Sequence, residues 1–333
     1  MRAVTIPRFG DAAVLTLEDV RVPEPGPGQV AIDVTHAAVG LADVLTRRGE
    51  LGGTPPIIPG LEVAGTIRAL GDEAAGLRVR QPVVTLSRPT AGGYAEVTLA
   101  DAAITLPLND LSPAMDPALA VAVVPNASTA LLALGEVAHL RAGEKVLIHG
   151  ATGALASIVG QIARELGAGE VIGTVRSPDR FPEAQRNGFD TVVESADFAD
   201  ALAQRDVSAI DVIVDPVGGQ LRAESLKVLA PLGRLLAVGN ASGTPDVRVG
   251  TNELWLSNAG VLGFNVGGLL ASQPERGSAA ARRALELVAA GRIATPQTNL
   301  PLDRAAEAHR RLEAGGVSGR VLLTSGETTK EIR

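Results

Sequence analysis

The sequence predicts an α/β protein in which a doubly wound parallel sheet follows a β-rich region. The first region carries short runs with the two-residue alternation of strands, separated by proline and glycine. After about Leu119, buried strands alternate with helical patterns, as in a parallel sheet covered by helices. One of these strands runs directly into a turn of small residues at Gly150. The 333 residues are enough for two domains.

The β-rich region contains several predicted strands. Val30, Ile32 and Val34 alternate with other residues in the pattern of a half-buried strand. Further strands are predicted at Glu62–Ile67, at Val79–Thr85 and in a segment that starts at Gly92.

The later region repeats a strand-then-helix order. Its predicted buried strands are Lys145–His149, Glu170–Val175, Val212–Asp215 and Arg234–Val238. Helical patterns then cover Ala279–Ala290 and Asp303–Ala314, and a strand is predicted at Gly319–Leu323.

Composition and charge exclude several classes of function. A net charge of −7 argues against nucleic acid as a partner. We expect no run of the roughly 18–20 apolar residues that span a bilayer, hence no membrane partner. The first residues lack a signal-peptide pattern, so the cytoplasm is the expected compartment. With no cysteine and four scattered histidines, neither disulfides nor a metal site is expected.

The turn after Lys145–His149 has the composition of a phosphate-binding loop. Small residues at Gly150, Gly153 and Ala156 allow a pyrophosphate to approach the backbone, and the amphipathic helix that follows offers unpaired N–H groups. The predicted cofactor contacts here are Gly150, Ala151, Thr152, Gly153, Ala154 and Leu155. The glycine spacing is looser than GxGxxG. A tight strand–helix connection that binds no ligand is therefore the alternative.

The end of the next strand favours NADPH over NADH. An NAD site usually has an acidic residue there for the ribose hydroxyls. This chain instead has Thr174, Arg176, Ser177 and Arg180, which suit a 2′-phosphate, with Asp179 as the one contrary residue. The alternative is a solvated helix start with scattered charge.

An ordered set of motifs extends along almost the whole chain. These motifs are Val39–Gly49, Pro59–Gly65, Gly92–Glu96, Ser128–Ala130, Gly150–Ala156, Asp215–Gly219, Gly233-Arg234 and Gly319–Leu323. In this set and order the sequence resembles the zinc-independent quinone oxidoreductases of the medium-chain dehydrogenase/reductase superfamily.

The resemblance implies a Rossmann domain inserted into a GroES-like catalytic domain. The expected segments are 1–122 (GroES-like, first part), 123–263 (Rossmann) and 264–333 (catalytic domain, C-terminal part). It also implies an active site in the cleft between the domains, and homodimers that pair edge strands near Gly260–Asn265. Thr129, Gly239 and Asn240 are the implied contacts for the nicotinamide end of NADPH.

Two departures from the family pattern concern the substrate end. Zinc dehydrogenases of this fold have Cys and His ligands where this chain has Gly40 and Leu61, and neither residue can bind a metal. Quinone reductases often have Asn at the Gly40 position and Tyr near the Leu51 position. The expected substrate pocket of Gly40, Leu51 and Phe264 is therefore more apolar than is usual in the family.

No general acid can be named from the sequence. Asp43 and Glu62 are the candidates, but structural roles are favoured: capping or pairing with Arg47 for Asp43, and bonding to nearby backbone for Glu62. Tyr94 and His149 are interpreted as packed structural residues.

The predicted function is zinc-independent, NADPH-dependent hydride transfer to a small-molecule quinone or similar conjugated carbonyl compound. An alternative is an enoyl or alkenal double-bond reductase acting on an α,β-unsaturated thioester, ketone or aldehyde. A second alternative, from another class, is an NADPH-binding protein without significant turnover.

Overall fold

The computed structural model describes residues 1–74, 76–86, 92–109, 115–207 and 209–325. The chain divides into two compact units. Unit 1 comprises the described residues of Met1–Ser128 and Val266–Arg333, and unit 2 is Thr129–Asn265.

The first stretch of unit 1 is mostly β-strand. Its strands are β1 Arg2–Thr5, β2 Thr16–Asp19, β3 Gln29–Val39, β4 Glu62–Leu70, β5 Pro82–Thr85, β6 Val97–Asp101 and β7 Thr105–Pro107, with single 3-10 turns at Ala12–Val14 and Ala102–Ile104. The predicted strand from Val79 starts only at Pro82. Arg80 has a φ of 66°, which places it in a tight turn before the strand.

Helix α1 (Leu41–Arg48) follows β3 and is capped at both ends. The backbone N–H of Gly40 donates to the Asp43 carboxylate at 2.8 Å. Gly49 ends the helix with a φ of 83°, a left-handed conformation that favours glycine. The capping interpretation of Asp43 is therefore confirmed.

Helix α2 (Pro117–Leu131) continues as a π-helical segment at Leu132–Val137. By length and composition Pro117–Val137 could cross a membrane, so the expectation that no apolar run reaches that length is wrong. However, 78% of its most apolar window is buried inside the protein, which is also the property of a core helix in a soluble protein. It is apolar because it is packed on most sides.

Unit 2 is a parallel sheet with helices between its strands. The elements are β8 Lys145–His149, α3 Ala154–Glu165, β9 Glu170–Val175, α4 Phe181–Arg186, β10 Thr191–Glu194, α5 Phe198–Ala203, β11 Ile210–Asp215, α6 Gln220–Leu226, β12 Leu229–Ala237, α7 Thr251–Ser257 and β13 Gly260–Gly263, with a 3-10 turn at Pro178–Arg180. The strand order is β10-β9-β8-β11-β12-β13, and every pair is parallel. This is the doubly wound order, and it reverses between β8 and β11.

The predicted strands at β8 and β9 have the observed bounds, because both are continuous apolar runs in the middle of the sheet. Strand β10 was not predicted. It is short and lies at the edge of the sheet, so its pattern is weak.

The last stretch of the chain returns to unit 1. It contains α8 Val266–Ser272, α9 Pro274–Ala289, β14 Gln297–Pro301, α10 Ala305–Ala314 and β15 Arg320–Thr324, with a 3-10 turn at Leu302–Arg304. Strand β15 pairs antiparallel with β3, so both ends of the chain build one sheet of order β14-β15-β3-β4-β5-β7, while β6 also pairs with β3. The predicted fold, a parallel-sheet domain inserted into a split β-rich domain, is confirmed.

Candidate cofactor site and buried polar cluster

The turn between β8 and α3 lies at the carboxyl end of the central strand of unit 2. Gly150 opens it with a φ of 72°. The Ala151 N–H donates to the Thr174 carbonyl at 2.8 Å, and the Gly153 N–H donates back to the Gly150 carbonyl at 2.7 Å. These bonds hold the turn against β9, beside the point at which the strand order reverses.

The start of α3 has the donors that a diphosphate requires. Gly153 is the N-cap, so no side chain caps the helix. The Ser157 N–H is the first to reach a helical carbonyl, that of Gly153. The N–H groups of Ala154, Leu155 and Ala156 lie in the turn before it, where the helix offers no acceptor and its dipole favours an anion. The local structure thus fits the phosphates of a dinucleotide.

His149 supports the turn from below. Its ring is fully buried, with Nδ1 3.0 Å from the Thr174 hydroxyl and Nε2 2.7 Å from the Ser225 hydroxyl. Burial lowers the pKa of His149 to about 4, so the ring is neutral at physiological pH. The interpretation of His149 as a packed residue is confirmed. Thr174 is also fully buried, so its side chain supports the turn and does not line an open surface.

Helix α3 packs closely on the sheet through glycines. An ideal Cβ on Gly160 would lie 2.9 Å from the Phe189 ring, and one on Gly173 would lie 2.6 Å from the Ala151 Cβ. Larger side chains at these positions would push the helix and its N-terminal donors away from β9.

The predicted 2′-phosphate residues follow β9. Arg176 is exposed, and the Ser177 hydroxyl donates to Asp179. Arg180 is mostly buried and pairs with Glu183 at 2.8 Å. Asp179 therefore already binds Ser177, and Glu183 already binds Arg180. A bound phosphate would have to displace these carboxylates.

The remaining residues that the family resemblance assigns to the cofactor lie at separate points of the chain. Thr129 is half-buried in the otherwise buried stretch 120–130 of α2. Gly239 and Asn240 are exposed just beyond β12, where the Asn240 amide donates to the Thr244 carbonyl at 3.1 Å. Phe264 is half-buried beyond β13, and its N–H donates to the Ala237 carbonyl.

In unit 1, Asp43 is the centre of a buried polar cluster. Its carboxylate accepts N–H donors from Gly40 at 2.8 Å and from Gly60 at 3.0 Å. Burial raises the pKa of Asp43 to about 6, although the two backbone donors and the nearby Arg320 charge oppose this effect. Asp43 is only 3% exposed. It is placed to hold the backbone at Gly40 and Gly60 together.

Glu62 forms a buried ion pair with Arg320. This pair corrects the prediction that Glu62 bonds mainly to nearby backbone, because its main partner comes from β15, far away in sequence. Gly40 lies next to the cluster: an ideal Cβ on it would be 3.6 Å from Asp43 Oδ2 and 3.8 Å from Arg320 Nη2. Gly40 is half-buried, and Leu51 is 58% exposed.

A line of hydrogen bonds connects Tyr94 and Arg47 to helix α10. The Tyr94 hydroxyl is 3.2 Å from His309 Nε2, and Arg47 Nη1 is 3.3 Å from His309 Nδ1. Arg47 is fully buried and pairs with Glu313 instead of Asp43, which corrects the predicted Asp43–Arg47 pair. The two side chains leave α1 towards different neighbours, Asp43 towards Gly60 and Arg47 towards α10.

Arg320, His309 and Ser225 contact these sites but were not predicted from the sequence. Arg320 lies inside a motif, yet nothing local indicates that it pairs with Glu62, 258 residues away. In the part of the chain that the structure describes, no three His, Asp or Glu side chains are grouped as metal ligands.

Two protein-family models match the sequence. The alcohol dehydrogenase GroES-like domain matches residues 26–110, and the zinc-binding dehydrogenase family matches residues 154–289. Phthioceranic/hydroxyphthioceranic acid synthase of Mycobacterium tuberculosis is 31% identical over 330 residues, or 97% of this chain. The chain spans only 15% of that protein.

Solved structures match along their whole length. A probable oxidoreductase from Mycobacterium abscessus is 30% identical with a TM-score of 0.84, covering 98% of this chain and 99% of that one. A mycobacterial quinone oxidoreductase is 27% identical with a TM-score of 0.86, covering 98% and 100%. Mycobacterial Rv1454c complexed with NADPH is 27% identical with a TM-score of 0.89, again covering 98% and 100%.

Proposed function

Because the chain belongs to the medium-chain dehydrogenase/reductase superfamily of oxidoreductases, we propose that it transfers a hydride from NADPH to a quinone or a similar conjugated carbonyl compound, without zinc. The observation that carries this proposal is the uncapped first turn of α3 at the carboxyl end of β8, where the strand order reverses. That edge is where doubly wound sheets bind dinucleotides.

Three features support NADPH as the cofactor. The N–H groups of the Gly150–Leu155 turn suit the diphosphate. Arg176, Ser177 and Arg180 follow the second strand, where a 2′-phosphate would lie. A similar structure is described as complexed with NADPH. When bound, the cofactor would supply the hydride.

The protein's own contribution would be positioning and the exclusion of water. We assign Thr129, Gly239 and Asn240 to the nicotinamide end, and Gly40 and Leu51 to the acceptor pocket. Exposed apolar side chains at Leu41 and Leu51 follow Gly40 in sequence and suit an apolar acceptor better than a charged one.

Asp43 and Glu62 are assigned structural roles. Asp43 already accepts two backbone N–H donors, and Glu62 is paired with Arg320. A group whose acceptor sites are occupied and buried is poorly placed to exchange a proton with substrate. The proton that follows the hydride would then come from water or from a cofactor hydroxyl.

Reduction of a carbon–carbon double bond in an α,β-unsaturated thioester, ketone or aldehyde is the second candidate. The similarity to a segment of an acid synthase favours an acyl thioester as acceptor. Hydride transfer to the conjugated carbon is the same chemistry, so the shape of the pocket decides between the two.

The test is cofactor oxidation, followed by nicotinamide absorbance, with NADPH or NADH and a panel of quinones, enones, alkenals and enoyl thioesters. Oxidation that depends on an acceptor and prefers NADPH would support the proposal, and the fastest acceptor would choose between quinone and alkene. Calorimetric binding of NADPH without turnover of any acceptor would favour a binding protein instead. Failure to bind either nucleotide would contradict the proposal.

A pair of variants on one helical segment tests the 2′-phosphate assignment. Arg180→Met should lower kcat/KM for NADPH by about tenfold or more while changing kcat/KM for NADH little. Arg186→Met removes the same charge from an exposed position on α4 and is the matched control. Equal effects of the two variants would contradict the assignment of Arg180.

A further inference from the structure

Two loops meet beyond the carboxyl ends of β11 and β12. The first loop is 216–219 and the second is 239–244. The Ala241 N–H donates to the Pro216 carbonyl at 3.0 Å, and the Ser242 N–H donates to the Val217 carbonyl at 2.9 Å. They are bonded backbone to backbone, so a shift in one loop would move the other.

Glycines make this close approach possible. An ideal Cβ on Gly218 would lie 2.2 Å from Asn240 Oδ1, and one on Gly219 would lie 2.0 Å from the Thr244 hydroxyl. An ideal Cβ on Gly239 would lie 2.9 Å from the Pro216 carbonyl oxygen. The pair of loops therefore has little freedom to rearrange around a larger residue.

One side chain bridges the bases of both loops. Arg222, on α6, donates through Nε to Asp215 Oδ2 at 2.6 Å and through Nη2 to the Gly239 carbonyl at 2.7 Å. The Arg222 side chain is 12% exposed. Asp215 ends β11 and Gly239 follows β12, so the guanidinium joins neighbouring strands at the cofactor-binding edge of the sheet.

Asp215 is anchored independently of Arg222. It is fully buried, and its other oxygen, Oδ1, accepts the N–H groups of Val217 and Gly218, both at 2.8 Å. Arg222 neutralises this buried carboxylate through Nε and donates to the second loop through Nη2, while Nη1 lies 3.6 Å from the Asp246 carboxylate.

We propose that Arg222 is a positioning residue, which sets the place of the nicotinamide ring through the Asp215–Arg222–Gly239 bridge. This inference rests on the proposed function. A dinucleotide that straddles the reversal between β8 and β11 lays its adenosine half over β9 and its nicotinamide half over β11 and β12. The bridged loops therefore lie beneath the nicotinamide half of the cofactor.

A lysine at position 222 cannot form this two-sided bridge. The fork of the guanidinium reaches the carboxylate and the carbonyl at the same time, whereas an ammonium is a compact point charge. Arg222→Lys keeps the charge beside Asp215 and loses the fixed geometry, whereas Arg222→Met loses both.

The experiment measures the binding of the adenosine half of the cofactor separately from the positioning of the nicotinamide half. Binding of adenosine 2′,5′-bisphosphate and of NADPH is measured by calorimetry for wild type, Arg222→Met, Arg222→Lys and Lys227→Met. Lys227 is an exposed cation that follows α6 and pairs with Glu224, so its variant controls for loss of charge there. The fluorescence of bound NADPH and the isotope effect with C4-deuterated NADPH report on the nicotinamide end.

We expect all variants to bind adenosine 2′,5′-bisphosphate within about twofold of wild type. Arg222→Met should lower the rate of hydride transfer by about ten- to a hundredfold, lower the bound-NADPH fluorescence and raise the isotope effect, with Arg222→Lys between it and wild type. Lys227→Met should behave as wild type. If the methionine variant does not fold, the lysine variant carries the measurement, because it leaves no uncompensated charge at Asp215.

Two results would overturn the proposal. One is a hydride-transfer rate in both Arg222 variants within about twofold of wild type. The other is an equal loss of affinity for the bisphosphate and for NADPH, which would mean a general structural role. If wild-type protein binds neither nucleotide, the proposed function itself fails, and with it this inference.

Discussion

The Tyr94 hydroxyl lies 3.2 Å from His309 Nε2, and the two rings meet edge to face although the residues are 215 positions apart. Arg47 has only donors, so His309 Nδ1 must accept its bond and the neutral ring carries its proton on Nε2. His309 then donates to the Tyr94 hydroxyl, which lies near the Asp43 carboxylate. Arg47, His309 and Tyr94 thus form a directed chain of donors beside this buried carboxylate.

Removing the tyrosine hydroxyl should therefore destabilise unit 1. Tyr94→Phe leaves the His309 Nε2–H without its acceptor, so we expect the free energy of unfolding to fall by about 1–3 kcal/mol. Urea denaturation measures this change. The control is Arg311→Met, which removes an exposed ion pair on α10, the helix that carries His309. It should lower the free energy of unfolding by less than about 0.5 kcal/mol. Equal effects would show that the chain of donors contributes nothing.

Asp43 should make stability fall as the pH rises. Its pKa is about 6 in the folded protein and 3.8 when unperturbed, so between these values the folded state binds more protons than the unfolded state. This contribution is complete below pH 3.8 and disappears as the pH rises through about 6, a change of about 3 kcal/mol. Asp43→Asn should remove it from urea denaturation measured across this range. An unchanged pH slope in the variant would contradict the burial of a titrating Asp43.

His149 should act in the opposite direction. Its pKa is lowered from 6.5 to about 4, so the stability it contributes is complete above pH 6.5 and is lost as the pH falls through about 4. The loss is about 3 kcal/mol for this ring. His149→Gln keeps a polar group near Ser225 without titrating there. Its unfolding free energy should depend less steeply on pH between 6.5 and 4 than that of wild type.

A carboxylate in the first turn of α3 should separate binding from folding. In Ala154→Asp the new charge faces the helix dipole favourably, so stability should rise by about 0.5 kcal/mol, while NADPH affinity should fall by at least about tenfold. Thermal unfolding and calorimetry measure the two effects. Ala154→Asn has the same shape without the charge and should lose less affinity. Unchanged NADPH binding in Ala154→Asp would place the phosphates elsewhere.

The edge of unit 2 should join a second copy of the chain. In the described part of the chain β13 pairs only with β12, and Leu232, Trp255 and Leu256 nearby are each more than 70% exposed. We expect a homodimer, and we expect Trp255→Glu combined with Leu256→Glu to shift it to monomer in analytical ultracentrifugation. Val79→Glu, at an exposed apolar residue of unit 1, is the control and should leave the dimer intact. A wild-type protein that sediments as a monomer would contradict the expectation.

Local patterns were sufficient where a residue's structural role depends on its neighbours in sequence. The apolar runs of β8 and β9 and the small residues at Gly150 predicted the strands and the turn, because both depend on residues only a few positions apart. The start of β5 was misplaced, since Arg80 adopts a positive φ that residue type alone does not indicate. The sequence pattern alone did not predict helix α2, and its length is apparent only in the fold.

By itself, the sequence determined the doubly wound sheet, the turn of small residues at Gly150 and the basic residues after β9. Each of these features depends on residues a few positions apart, so the residue types and the period of the apolar residues predict it. Only the tertiary structure decided that Asp43 accepts a hydrogen bond from Gly60, that Glu62 pairs with Arg320, and that Arg222 joins two loops. The physical reason is that a buried polar side chain must find its partners wherever the folded chain brings them, and that proximity is set by the packing of whole elements.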